Sequence, residues 1–292
     1  EVVGRKYREG RLRQDFGMHN TTTRGTAKRL RLLARVILFM MGCAVALAVV
    51  SGQFPKQPGS REVLSLGVAT SFVAFALTVI FVRWEGESLA NVGAMADRWT
   101  PLRLLVGLVI GAVIVAIWAL VSAAGGYVRW KWEPAVDFSQ ISIALITYVA
   151  LATREELAFH GYPLRTLERS FGVWSAQIFV AVMFALEHRL GGMTWMQAAF
   201  GAAVGSLLYG MASIATRGLA VPIGVHAAWN IGQWLLGLKG QPGVWRGVVA
   251  TGNEARAELF AMVAYDVILI AVTIRFWIYF RRTGNARPDA AN

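Results

Sequence analysis

Stretches of apolar sequence long enough to cross a bilayer recur along this chain, and they leave few folds open to it. A spanning helix needs about 20 predominantly apolar residues, and such blocks run roughly 33–51, 62–82, 103–124, 141–163, 172–190, 195–215, 219–238 and 257–280. Within a bilayer the backbone has to satisfy its own N–H and C=O groups, so blocks of this kind predict helices. The expectation is an all-α, polytopic membrane helical bundle of about eight transmembrane helices. Composition agrees, since 16% of the residues are charged, against about a quarter in soluble domains. The chain divides into a basic cytoplasmic N-terminal segment at 1–32, a transmembrane helical domain at 33–280 and a polar C-terminal tail at 281–292.

The net charge is +12, and much of the excess lies in Arg5 to Arg35, just before the first apolar block. A basic segment beside a span reads as a topology signal and a contact for anionic lipid. No recognition motif accompanies it, so nucleic acid is not an expected partner. With an even number of spans, both termini fall on the cytoplasmic side. Lys56, Arg129, Lys131, Lys239 and Arg246 then lie on the opposite side. The sequence does not open on Met, and Met18 is a candidate native start. Cys43 is the single cysteine, which excludes a disulfide within one chain and a cysteine-rich metal site. Trp84, Trp99, Trp130 and Trp132 fall near block ends, as interfacial anchors do. Gly107 and Gly111, and Gly201 and Gly205, have the small-xxx-small spacing that lets helix backbones approach closely.

One apolar block ends in charge: Glu155-Glu156-Leu157-Ala158-Phe159-His160-Gly161-Tyr162-Pro163. Carboxylates in a membrane are costly unless paired, which makes this pair a functional-site hypothesis. Residues four apart share a helix face, so Glu156 can pair with His160 while Glu155 is free to point elsewhere. Two later blocks supply partners. Phe184 and His188 share a face with Glu187 beside them, and His226 shares one with Asn230. A carboxylate, two imidazoles and a carboxamide suffice for hydrolysis: the carboxylate takes a proton from water, and the imidazole and amide stabilise an oxyanion. Two histidines and a carboxylate also suit a catalytic zinc, so a metal-free and a zinc-dependent site are both open. Depth poses a difficulty. At about 1.5 Å per residue, Glu155 lies about 20 Å from the outer side, whereas His188 falls near the outer end of its block.

Glu-Glu-Leu-Ala-Phe-His-Gly at 155–161, Phe184-Ala-Leu-Glu-His188 and His226-Ala-Ala-Trp-Asn230 resemble the three motifs of the CAAX prenyl protease and bacteriocin-processing family of glutamate-dependent intramembrane proteases. That family's pattern is Glu-Glu-x-x-x-Arg, Phe-x-x-x-His and His-x-x-x-Asn on successive membrane helices. The resemblance covers roughly 85–235, with Glu87-Ser88-Leu89-Ala90-Asn91-Val92-Gly93 similar to the family's lead-in. It implies that Glu155 is the water-activating base and Glu156 its supporting carboxylate. His188 would hold or polarise the water, His226 and Asn230 would form the oxyanion site, and Phe184 would shape the pocket. It further implies a membrane-associated, lipidated or sorting-tagged peptide substrate, no metal cofactor, and a bacterial or archaeal cytoplasmic membrane. In one departure, His160 stands where the family has arginine, which makes the charge beside Glu156 pH-dependent. Two readings from other classes compete: a non-catalytic scaffold or immunity protein of the same fold, and a transporter using the Glu and His groups as a proton relay.

Overall fold

The computed structural model describes the backbone of residues 2–55, 59–133, 136–240 and 243–285, and the side chains of 26–55, 59–133, 136–240 and 243–283. The tail beyond 285 and the side chains of the basic segment up to 25, His19 among them, lie outside the described residues. Nine helices and one two-stranded ribbon make up the described chain. They are α1 (Val2–Ser51), α2 (Ser60–Trp84), α3 (Thr100–Ala124), β1 (Val128–Trp132), α4 (Phe138–Glu155), α5 (Tyr162–Phe171), α6 (Val173–Leu190), α7 (Ala203–Thr216), α8 (Ala220–Leu235), β2 (Trp245–Val249) and α9 (Glu254–Asn285). Six-residue π-helical turns, Glu156–Gly161 and Gln197–Ala202, join α4 to α5 and lead into α7.

The protein is an integral membrane protein built as an all-α bundle. Five helical segments among the described residues are long and apolar enough to cross a membrane: Thr26–Ser51, Ser60–Trp84, Thr100–Ala124, Gln197–Thr216 and Glu254–Thr283. Eight was the expectation. The difference falls on α4, α6 and α8, which have 18, 18 and 16 residues and carry Glu155, Glu187, His188, His226 and Asn230. At about 1.5 Å per residue these are roughly 24–27 Å long, somewhat short of a hydrocarbon core of about 30 Å. The apolar side chains of α1, α2, α3 and α9 are widely exposed on the bundle surface, among them Val45, Phe72, Leu120 and Val267.

Two local features correct the expected boundaries. The fourth block, expected as one span over 141–163, starts three residues earlier and does not end at 163. Asp137 accepts from the backbone N–H of Gln140 while the Gln140 side chain accepts from Asp137 N–H, each at 2.8 Å, a capping box that sets the start of α4. At the other end Gly161 leaves helical geometry (φ −83°, ψ −111°) ahead of Pro163, which has no N–H to give and crowds the preceding turn. The chain bends there and continues as α5 to Phe171 before turning back into α6.

The second correction is the ribbon. The segments around 125–140 and 239–256, which lie between apolar blocks, pair antiparallel through Val128–Trp132 and Trp245–Val249. Trp130 is docked rather than free, its indole N–H donating to Ala119 O at 3.0 Å, while Trp132 stays exposed against Trp245. The pairing puts both segments at one end of the bundle.

Helix α8 is held chiefly by α3, backbone against backbone. A Cβ on Gly111 would lie 2.6 Å from Val225 O, and one on Gly107 would lie 3.0 Å from the Gly224 Cα. The close approach expected at Gly107 and Gly111 is therefore real. Gly201 differs: a Cβ there meets nothing within 4 Å, although its carbonyl accepts from Tyr265 O–H at 3.1 Å.

Candidate active site

Glu155 is the last residue of α4, and Glu156 opens the π-helical turn. Turns of this kind are rare and concentrate at functional sites. Both carboxylates are buried, as are His160, Phe184 and His226. Glu156 is held on both oxygens. Oε1 accepts from His226 Nδ1 at 2.9 Å, and Oε2 lies 2.8 Å from His160 Nδ1. The second approach is off the N–H axis and is an electrostatic contact rather than an aligned hydrogen bond. The other nitrogen of His160, Nε2, is 2.9 Å from Ser206 Oγ on α7.

Glu155 turns the other way. Its Oε2 faces His226 Nε2 at 3.5 Å and His188 Nε2 at 3.8 Å, beyond direct hydrogen bonding. His188 is oriented through Nδ1, 2.9 Å from Phe184 O, and Phe184 stacks against it at 4.3 Å. Tyr209 lies parallel to the His226 ring at 4.3 Å and 9°. The depth difficulty disappears with the corrected boundary. Because α5 carries the chain past Gly161, α6 folds back as the antiparallel arm of a hairpin. Phe159 then meets Phe184 at 5.0 Å, Arg154 meets Glu187 at 3.0 Å and Glu155 meets His188.

Asn230 lies one turn beyond His226 on α8 and lines the same cavity of about 570 Å³ as Glu155, His188 and His226. Its Oδ1 accepts from Lys239 Nζ at 2.9 Å. An ammonium can only donate, so Lys239 fixes which way the amide faces and leaves its NH₂ for another acceptor. The structure thus gathers Glu155, Glu156, His160, Phe184, His188 and His226 into one contact network, with Asn230 on the same cavity.

Sequence reasoning passed over three contributors. Arg154 pairs with both Glu155 and Glu187, Tyr209 stacks on His226, and Lys239 orients Asn230. The available signal was for Arg154 alone, a cation inside an apolar block next to the Glu pair. Among the described residues, no group of three or more His, Cys, Asp or Glu side chains has the geometry to hold a metal ion.

The family model described as "Type II CAAX prenyl endopeptidase Rce1-like" matches residues 137–232. Over this stretch the chain is similar to the CAAX prenyl protease family. The matched CAAX protease segment begins at the cap of α4 and ends just past Asn230, so it contains the whole Glu, His and Asn cluster. The lead-in at 87–93 lies outside it, yet packs on it: Leu219 N–H donates to Gly93 O at 3.0 Å, and Gly93 takes φ +72° against Gly218. No curated protein matches the chain.

Proposed function

We propose that the protein is an intramembrane endopeptidase that hydrolyses a peptide bond of a membrane-associated protein or peptide, lipidated or sorting-tagged. The observation that carries the reading is the Glu155 carboxylate facing two imidazole nitrogens, at 3.5 and 3.8 Å, in a cavity of about 570 Å³. Glu155 takes a proton from water as the water oxygen adds to the scissile carbonyl, and later returns the proton to the leaving amine. His188 orients the water. His226, held through Nδ1 by Glu156, presents Nε2 to the oxyanion, beside the amide of Asn230. Glu156 and His160 hold His226 in place, and Phe184 shapes the wall.

The cavity is bordered at the ribbon end by Met193, Leu238, Lys239 and Glu258. By the Lys and Arg count that end lies opposite the N-terminal basic block. Substrate entering from the cytoplasmic face would need the ribbon end to be cytoplasmic; lateral entry from the bilayer does not.

The test is cleavage of a lipidated, membrane-anchored reporter peptide by the purified full chain in vesicles. The wild type is compared with Glu155→Ala and His226→Ala, each with and without chelator. Loss in both variants with chelator-resistant wild-type activity is the expected result. Chelator-sensitive activity would replace the metal-free reading with a zinc-assisted one. Undiminished cleavage by Glu155→Ala would sink the assignment of the base.

A further inference from the structure

We propose that Arg154 and Glu187 act as a positioning pair for Glu155, fixing one oxygen of its carboxylate so that the other faces His188 and His226. The proposal rests on the reading of Glu155 as the reacting base. One terminal nitrogen of the Arg154 guanidinium contacts Glu155 Oε1, and the other donates to Glu187 Oε1 at 3.0 Å. The guanidinium therefore bridges both arms of the hairpin formed by α4–α5 and α6. Neighbouring residues on a helix do not face one another, so the contact between Arg154 and Glu155 does not come from adjacency in sequence. Glu187 sits where it draws the guanidinium round.

Two further observations favour positioning over simple structural support. A second, mostly apolar cavity of about 170 Å³ lies on this side, with Met40, Ala74, Phe159 and Met183 among its walls and Arg154 and Glu187 at its edge. Charges interact strongly in such surroundings, which suits holding a carboxylate whose terminal torsion is otherwise broad. Yet Arg154 Nε and Glu187 Oε2 are buried with no hydrogen-bond partner. A buried ion pair stabilises a fold only when its remaining valences are met, so this pair is poorly built for stability. It is well placed to orient Glu155, since Oε1 is held by the arginine while Oε2 is the oxygen facing both histidines.

The reporter assay separates the roles. Arg154→Gln should lower kcat at least tenfold with KM changed less than twofold, the pattern of an interaction needed only for the chemical step. Arg154→Lys should recover part of the loss, because an ammonium can hold Glu155 without bridging rigidly to Glu187. Glu187→Gln should cost less than Arg154→Gln, and the double variant should be no worse than Arg154→Gln alone, because Glu187 acts through the arginine. Wild-type kcat in Arg154→Gln, a loss carried by KM, or losses that multiply in the double variant would each overturn the proposal. If thermal unfolding shows Arg154→Gln to be misfolded, Arg154→Lys and Glu187→Gln decide. A lower kcat at unchanged KM in both supports the proposal, and any other outcome in the two overturns it. Glu155→Gln tells the two readings apart: retained cleavage defeats the parent reading, whereas its loss alongside a fully active Arg154→Gln defeats only this one.

Discussion

Glu155→Gln is expected to lower kcat by a factor of about 10²–10⁴, the usual contribution of a general base, while leaving the chain folded. The amide keeps the shape of the carboxylate and removes only its capacity to take a proton. The structural cost is small because Arg154 keeps Glu187, and the two histidines stand 3.5 and 3.8 Å away without bonding Glu155. Glu156→Ala should behave differently. It strips His226 and His160 of their shared anion in a fully buried site, and breaking such a pair typically costs about 3–5 kcal/mol. Single-turnover cleavage and thermal unfolding, measured on both variants, separate a chemical loss from a structural one. Equal unfolding temperatures for the two would contradict the division of labour between the carboxylates.

Gly224→Val should also give a large loss of stability. A Cβ at Gly224 would sit 2.7 Å from Leu108 N, and the facing Gly107 and Gly111 are closed off by backbone of α8 in the same way. Backbone cannot rotate aside as a side chain can, so α3 and α8 have to part. Overpacking a tight contact costs roughly 1–3 kcal/mol, occasionally more, and valine against backbone belongs at the upper end. Because α8 carries His226 and Asn230, cleavage should fall with stability. Gly201→Ala is the control, since its Cβ would enter open space. If thermal unfolding and cleavage were equally affected in the two variants, the α3–α8 contact would not be what holds α8.

The contrast between these glycines shows where pattern reading stops. Gly107 with Gly111 and Gly201 with Gly205 share one spacing, but only the first pair lies at a backbone crossing. Spacing defines a face of a helix, whereas the partner of that face is a tertiary fact. The depth of His188 makes the same point. Hydropathy shows where an apolar run stops but not which way the backbone turns there, and the bend at Gly161 into α5 is a matter of backbone geometry. The amphipathic α5, with Tyr162 to Leu167 buried, was merged in part with the preceding block. The ribbon was missed because strands of five residues in a loop leave a weak pattern beside apolar blocks four times as long.

The sequence by itself determined the membrane bundle and the residue types of the cluster. Both follow from one solvent rule, that a bilayer accepts helices and tolerates charge only for a reason. It also placed Glu156 and His160 within reach of each other, because they lie on one helix a turn apart. Tertiary structure alone decided the rest. The hairpin of α4–α5 with α6 brings His188 and Glu187 level with Glu155 and Arg154. The glycine seam between α3 and α8 delivers His226 to both carboxylates, and the loop after α8 returns Lys239 to Asn230. These contacts join residues far apart in the chain, and their geometry depends on how helices pack and where they bend.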